Sequence, residues 1–308
     1  MSSSLAGQAA LPGARLRRQA NLTRYLVGYL FILPAFIFFV VFKFGAVAYL
    51  IPLSLADWRL GSTTRAFVGV GNYRKLIVSP EFWNALSNTG IYTVAVGGLS
   101  IALGLVLALA LRRAGRLQGL YQAVFFLPVA ATMSAMAVVW RFIFDTNIGV
   151  LNALMRAAGM EPLSWLQDNR LAMAAVVLVG VWSNMGYTMV LFLAGLTTIS
   201  RDLHEAAAID GASAPRQFWS ITWPLLSPVT LFVVVIMTLR SVQAFDSIKV
   251  LTDGGPLGAT QVLSHLLYRV GFQYFDTGFA SAISVVFFAL LAGVTLLQMR
   301  AERLVHYQ

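Results

Sequence analysis

Several stretches of this chain run apolar for more than about 18 residues, the length at which an α-helix begins to cross a bilayer. Mean hydropathy is +0.76 and only 11% of the 308 residues are charged. A soluble domain of this size would expose too much apolar surface to stay monomeric, so the chain reads as a polytopic membrane protein. No cysteine occurs, which removes disulfides, Cys-ligated metals and thiol nucleophiles from consideration.

The formal charge of +10 raises nucleic acid as a partner, but its placement points elsewhere. Arg15, Arg17, Arg18 and Arg24 precede the first apolar run, and Arg112, Arg113 and Arg116 fill a short gap between two others. Cytoplasmic loops look like this under the positive-inside rule. The start also has the outline of a signal peptide, with Ala46-Val47-Ala48 as a small-x-small site. The apolar stretch from Leu26 to Phe42 is too long for that, and Lys43 stands just before the site. A retained first span is expected.

Six spans can be drawn, near 26–50, 86–111, 119–140, 171–195, 225–247 and 278–299, each long enough for about 30 Å of hydrocarbon at about 1.5 Å per residue. With the N-terminus inside, the connections at 112–118 and 196–224 and the C-terminus are expected in the cytoplasm. Those at 51–85, 141–170 and 248–277 are expected outside. The cytoplasmic segments then hold Arg201, Arg216, Arg300 and Arg303 besides the seven arginines above. Arg59, Arg65, Arg74 and Lys75 run against the rule, in a loop long enough to dilute it. Phe82, Trp83 and Leu86 fit either an interfacial helix leading into span two or an ordinary helix start. The first twenty or so residues, rich in Ser, Ala, Gly and Arg, are expected to be poorly ordered. Gly104 and Ala108 form a small-xxx-small pair suited to close helix packing.

An enzyme needs a constellation, and none emerges. His204, His265 and His306 lack metal-ligand spacing, no G-x-x-x-x-G-K-[ST] occurs, and Gly69-Val70-Gly71 has no third glycine. No cofactor or metal is expected in this chain.

Against this background the segment from Glu205 to Pro228 stands out. Ala206, Ala207 and Ala208 favour helix, Gly211 offers a cap with positive φ, and Ser213 and Pro215 open a second helix. Phe218, Ile221 and Leu225 recur as one apolar face. A helix, a sharp turn and a second helix at the cytoplasmic ends of spans four and five make a plug for a socket on another protein, or a loop that merely folds back on the bundle.

Here the sequence resembles a known family. Glu205, Ala206, Ala207, Asp210, Gly211, Ala212, Phe218, Ile221 and Pro224 are similar to the EAA loop of permease subunits in binding-protein-dependent ABC importers, where the loop forms the coupling helix. VGVGNYRKL (68–76), EFWNALSNTGIYT (81–93), FFLPVA (125–130), GVLNALM (149–155) and AFDSIKVLTDGGP (244–256) are similar to the sugar-type branch. Trp223 departs from the family's leucine at that position. The resemblance implies an all-α, six-helix type I importer permease fold: a cytoplasmic tail over 1–24, a permease domain over 25–300 with its coupling loop at 201–228, and a cytoplasmic tail over 301–308. It further implies a second, homologous permease, two ATPase subunits that bind the ATP and Mg, an extracytoplasmic solute-binding protein, and a bacterial plasma membrane.

Polar groups inside spans are costly and usually face a pore or a partner. Asn184, Tyr187 and Thr188 share one face of span four, and Met237, Arg240, Ser241 and Ala244 share one of span five. These two faces are the expected pathway lining. Maltose-type permeases bind sugar on the equivalent spans, where only Tyr187 matches. Asn184 also reads as a bond to a neighbouring helix, and Arg240 as a partner for a carboxylate or a side chain extending toward the external interface. A guanidinium in the pathway suits a carboxylate or phosphate, so an anionic glycerol phosphate is the alternative to a sugar-like cargo. An ion-coupled secondary transporter is the competing class; of the mid-membrane carboxylates it would need, only Asp246 comes near.

Overall fold

The computed structural model describes residues 12–112 and 114–302, the side chains of 12–24, 26, 301 and 302 excepted. Arg113, Arg303 and His306 lie outside the described residues, as do the side chains of Arg15, Arg17, Arg18 and Arg24. The chain divides into two units between Leu53 and Ser54.

The first unit is helical: α1 (Pro12–Phe39) passes through a π-helical stretch, Val40–Gly45, into α2 (Ala46–Ser54). Helix therefore begins inside the N-terminal stretch expected to be poorly ordered, where Ala, Arg, Leu and Gln are all good helix formers. Phe31, Phe36 and Phe38 are exposed along α1, as suits a helix whose solvent is lipid.

The second unit opens with a short antiparallel hairpin, β1 (Ala56–Asp57) and β2 (Ala66–Phe67), followed by α3 (Gly71–Val78). Asn72 fixes this corner by donating to the carbonyls of Ser54 (2.9 Å) and Ala56 (3.0 Å). α4 (Pro80–Leu111) starts where Ser79 accepts from the amide of Phe82 and Pro80 takes the first turn, both standard helix-opening devices. Phe82 and Trp83 thus belong to the first turn of one continuous helix. The remaining helices are α5 (Gln118–Ala130), α6 (Met133–Ile143), α7 (Val150–Ala157), α8 (Ala172–Thr197), α9 (Arg201–Ile209), α10 (Ala214–Gln217), α11 (Trp223–Val242), α12 (Asp246–Leu251), α13 (Leu263–Tyr268) and α14 (Thr277–Glu302).

α4 and α8 pack most intimately. A Cβ on Gly104 would lie 2.0 Å from Thr188 Oγ1 and 2.8 Å from the Met189 amide nitrogen, and Ala108 is fully buried nearby. The missing side chain lets the two backbones approach. Met189, Phe192, Leu196, Leu226, Val233 and Met237 complete the core between α4, α8 and α11.

Among the described residues, five helical stretches are long and apolar enough to cross a membrane: Val27–Ser54, Pro80–Leu111, Ala172–Thr197, Ala214–Leu251 and Thr277–Arg300. The expected third span, 119–140, is not one straight helix. α5 and α6 meet at 97° across Ala131 and Thr132, both extended. Pro128 lies inside α5 three residues before the break, where its missing N–H and its ring weaken the turn that precedes it. The expected fifth span is interrupted too, because α11 ends at Val242 and the chain passes through Gln243–Phe245 before α12.

Candidate functional site

The two interruptions meet. A cavity of about 400 Å³ is lined by Pro128, Val129, Ala131 and Met133 from the first break and by Gln243, Ala244, Phe245 and Asp246 from the second. Tyr92 and Val96 of α4, Ser183 and Asn184 of α8, and Arg240, Ser241 and Ser247 close it. Broken helices leave backbone groups to satisfy, and irregular backbone at membrane depth survives only against protein or a polar cavity. One freed carbonyl, that of Ala244, accepts from the Ser264 hydroxyl.

Asn184 organises the polar wall. Its amide donates to the Gly180 carbonyl at 2.8 Å, and its Oδ1 accepts from Arg240 Nε at 3.0 Å. The Arg240 guanidinium lies 4.9 Å from the Tyr187 ring centroid, a cation–π distance. Two residues of α8 thereby aim a cation of α11. Among the described residues no ion pair involves Arg240, so its terminal nitrogens are available to a ligand.

Of the residues expected to line the pathway, Asn184, Arg240 and Ser241 line this cavity and Tyr187 backs Arg240. Thr188 and Met237 are elsewhere. Thr188 is fully buried and donates to the Ser100 carbonyl of α4 at 2.6 Å, and Met237 is fully buried in the core. A step of four residues turns a helix by about 40°, enough here to carry Thr188 off the cavity and into the α4 contact. Tyr92, Met133 and Gln243 were missed. Only Pro128, a proline inside an apolar run, signalled that a break would bring other elements to the site.

At the far end of α8 stands the helix–turn–helix. α9 begins at Ser200, whose hydroxyl accepts from the amide of Asp202. It ends in a Schellman turn: Ala212 N donates to Ala207 O (2.9 Å), Gly211 N to Ala208 O (3.1 Å), and Gly211 has φ +77°. Ser213 and Pro215 then open α10, and Gln217 donates to the Ala212 carbonyl at 2.9 Å, bracing the corner. Ala206, Asp210, Gly211 and Pro224 are exposed, while Ala207, Ala212, Phe218 and Ile221 are half-buried. Glu205 turns the other way and lines a second cavity against the end of α4. Leu203 and Ile209 were missed: both are exposed, Ile209 to 87%, beside Ala206.

At the opposite end, Asp253 accepts from Lys249 Nζ (2.7 Å) and meets His265 Nε2 (3.0 Å). Desolvation works to raise the Asp253 pKa, but the Lys249 and His265 bonds outweigh it and hold the carboxyl below its ordinary range. Burial pushes His265 below its ordinary value against the opposing pull of Asp253. The imidazole is neutral at pH 7 and donates from Nε2. Asn84 and Asn88 of α4 donate to the Gly258 carbonyl (2.8 and 2.9 Å) and fasten this loop to the bundle.

Comparison with known proteins agrees with this architecture. Residues 100–306 match the family described as binding-protein-dependent transport system inner membrane component. The chain is 34% identical over 277 residues to the trehalose/maltose transport system permease protein MalF of Thermococcus litoralis, covering 90% of this chain and 94% of that one. It is 32% identical over 286 residues to the sn-glycerol-3-phosphate transport system permease protein UgpA of Agrobacterium fabrum, covering 92% and 97%. A bacterial alginate ABC transporter, solved with an alginate pentasaccharide-bound periplasmic protein, shares the fold with a TM-score of 0.83 at 20% identity, covering 94% of this chain and 98% of that one. The chain is not an enzyme; it belongs to the family of binding-protein-dependent inner membrane components, the permease subunits of ABC transporters.

Proposed function

We propose that this chain is the permease subunit of an ABC importer that moves a sugar or sugar-like solute into the cytoplasm. α9 and its turn serve as the coupling helix received by an ATPase subunit. The observation that carries this reading is the exposed face of Leu203, Ala206 and Ile209 on a helix whose end is fixed by the Gly211 turn. A rigid apolar surface at the ends of α8 and α11 passes movement of its socket straight to the helices that line the cavity. In this reading both termini are cytoplasmic, the membrane is a bacterial plasma membrane, and ATP and Mg are held by two ATPase partners. A second, homologous permease completes the pathway, and a solute-binding protein docks at the end bearing Asp253 and His265.

Arg240 favours a second reading of the cargo. With Asn184 and Tyr187 holding it and no carboxylate paired to it, its fork suits a carboxylate or phosphate. An anionic glycerol phosphate or acidic sugar therefore stands beside a neutral sugar. The test is purification of the tagged chain in mild detergent, identification of co-eluting proteins by mass spectrometry, and an ATPase assay with solute-loaded binding protein. A second permease and an ATPase are expected, with hydrolysis stimulated by the loaded protein. Recovery of the chain alone, with uptake driven by an ion gradient and indifferent to ATP depletion, would replace this reading by a secondary transporter.

A further inference from the structure

The second cavity, about 660 Å³, lies between the end of α4 and the face of α9 opposite Leu203 and Ala206. Its polar lining includes Arg112 from the end of α4 and Arg201, His204 and Glu205 from α9; Leu109 and Phe218 supply apolar wall. Neither arginine is ion-paired among the described residues. His204 Nε2 is buried without any hydrogen-bond partner. That atom has no open surface, so the groups free to meet a ligand in the cavity are the two guanidiniums. Two guanidiniums against one carboxylate leave the cavity net positive, which selects an anion.

We propose that this cavity binds a phosphate ester, namely the headgroup of an anionic phospholipid, between the membrane span α4 and the coupling helix α9. Arg112 and Arg201 grip the phosphate, one from each helix. Leu109, Ala110 and Arg112 end an apolar span, which sets the cavity at headgroup depth, and basic pockets at that level between helices bind anionic headgroups. Because one grip stands on α4 and the other on α9, an occupied site holds the coupling helix against the bundle. Coupling then becomes dependent on the lipid. This rests on the reading of α9 as the coupling helix, whereas binding itself does not.

Native mass spectrometry of the detergent-purified complex, doped with phosphatidylglycerol, reads retained lipid directly. A parallel titration with soluble glycerol phosphate separates a lipid source from a free phosphate ester. Arg112→Gln or Arg201→Gln is expected to weaken retention about fivefold, the effect of one basic side chain near an anionic surface. Glu205→Gln is expected to tighten it, and Arg300→Gln, a basic residue outside the cavity, to leave it unchanged. Equal weakening by Arg300→Gln would reduce the effect to diffuse surface charge, and absence of retained lipid in the wild type would end the proposal. Binding-protein-stimulated hydrolysis is then compared in phosphatidylcholine nanodiscs with and without phosphatidylglycerol. Stimulation indifferent to the lipid refutes the coupling role, and no stimulation in any lipid, with retention intact, refutes the importer reading instead.

Discussion

At Gly211 the backbone has φ +77° and an added Cβ meets nothing within 4 Å, so a substitution there is opposed by backbone strain and not by collision within the chain. An L-residue in the left-handed region pays about 1–2 kcal/mol, which lowers the population of the closed turn roughly 5- to 30-fold at about 1.4 kcal/mol per tenfold. Asparagine tolerates this region, alanine less so, and a β-branched residue is a genuine outlier there. Coupled uptake is therefore expected to fall in the order Gly, Asn, Ala, Val. The amount of chain in the membrane should stay constant, because the strain is confined to an exposed turn. Uptake and binding-protein-stimulated ATP hydrolysis in proteoliposomes, normalised to chain by immunoblot, measure this. Wild-type uptake by Gly211→Val would refute the reasoning outright. Asn as damaging as Val would assign the loss to side-chain bulk at the ATPase socket. Glu205→Lys, which puts a third cation beside Arg112 and Arg201, is likewise expected to abolish uptake with the chain still inserted.

Three further outcomes are expected. Arg240→Gln removes a cation aimed into the cavity, so uptake of an anionic cargo should drop at least tenfold while a neutral sugar is spared; intact anionic uptake would sink the anionic reading. Gly104→Leu must displace Thr188 and the Met189 backbone, an overpacking cost of about 1–3 kcal/mol seen as a lower thermal midpoint in detergent; an unchanged midpoint would mean that α4 and α8 separate freely. His265 has a folded pKa below its unfolded value of 6.5, so its contribution is complete above about pH 6.5 and is lost as pH falls from there toward the folded pKa. Asp253, also depressed, adds stability above its unfolded value and loses it lower still. Hydrogen exchange over 252–266, corrected for intrinsic rate, should therefore speed up below about pH 6.5; a flat profile would show that Lys249, Arg269 and the Asn88 bonds hold the loop without the imidazole.

The spans were legible because hydropathy sums over many residues and tolerates local error. The helix–turn–helix at 201–217 was legible because each of its devices is local: a serine cap, an alanine run, a glycine where φ is positive, a proline in a first turn. The cavity was not, since it arises where two helices stop: apolar composition continues through the first stop, and the polar residues around the second suit an unbroken helix lining a pathway just as well. Pro128 carried a signal for the first, but Gln243-Ala244-Phe245 holds no glycine or proline to announce the second. Thr188 was misplaced for a related reason. Periodicity assigns a residue to a face, but α8 is contacted on several sides, and only the packing of Gly104 tells which neighbour receives it.

Asn184 and Arg240 make the last case, because the same bond serves two readings of the site. As a contact at 3.0 Å it can tie α11 to α8, an interhelical bond of about 0.6 kcal/mol on average, or it can aim a guanidinium at cargo. Asn184→Asp separates the two. A carboxylate at that position turns the contact into an ion pair with the guanidinium, so the tie between helices is preserved or improved. It also cancels the positive charge that an anionic cargo would meet and adds repulsion. If Arg240 reads the cargo, Asn184→Asp should cost an anionic solute tenfold or more in affinity, about 1.4 kcal/mol, and leave a neutral sugar little changed. If Arg240 only ties helices, Asn184→Asp should behave as wild type or better, and Arg240→Gln should lower the thermal midpoint without discriminating among solutes. The double variant closes the cycle: with Arg240 already replaced, Asn184→Asp has no guanidinium left to neutralise. A penalty on anionic uptake that persists there would show that the repulsion acts on the cargo directly and that Arg240 is not its partner.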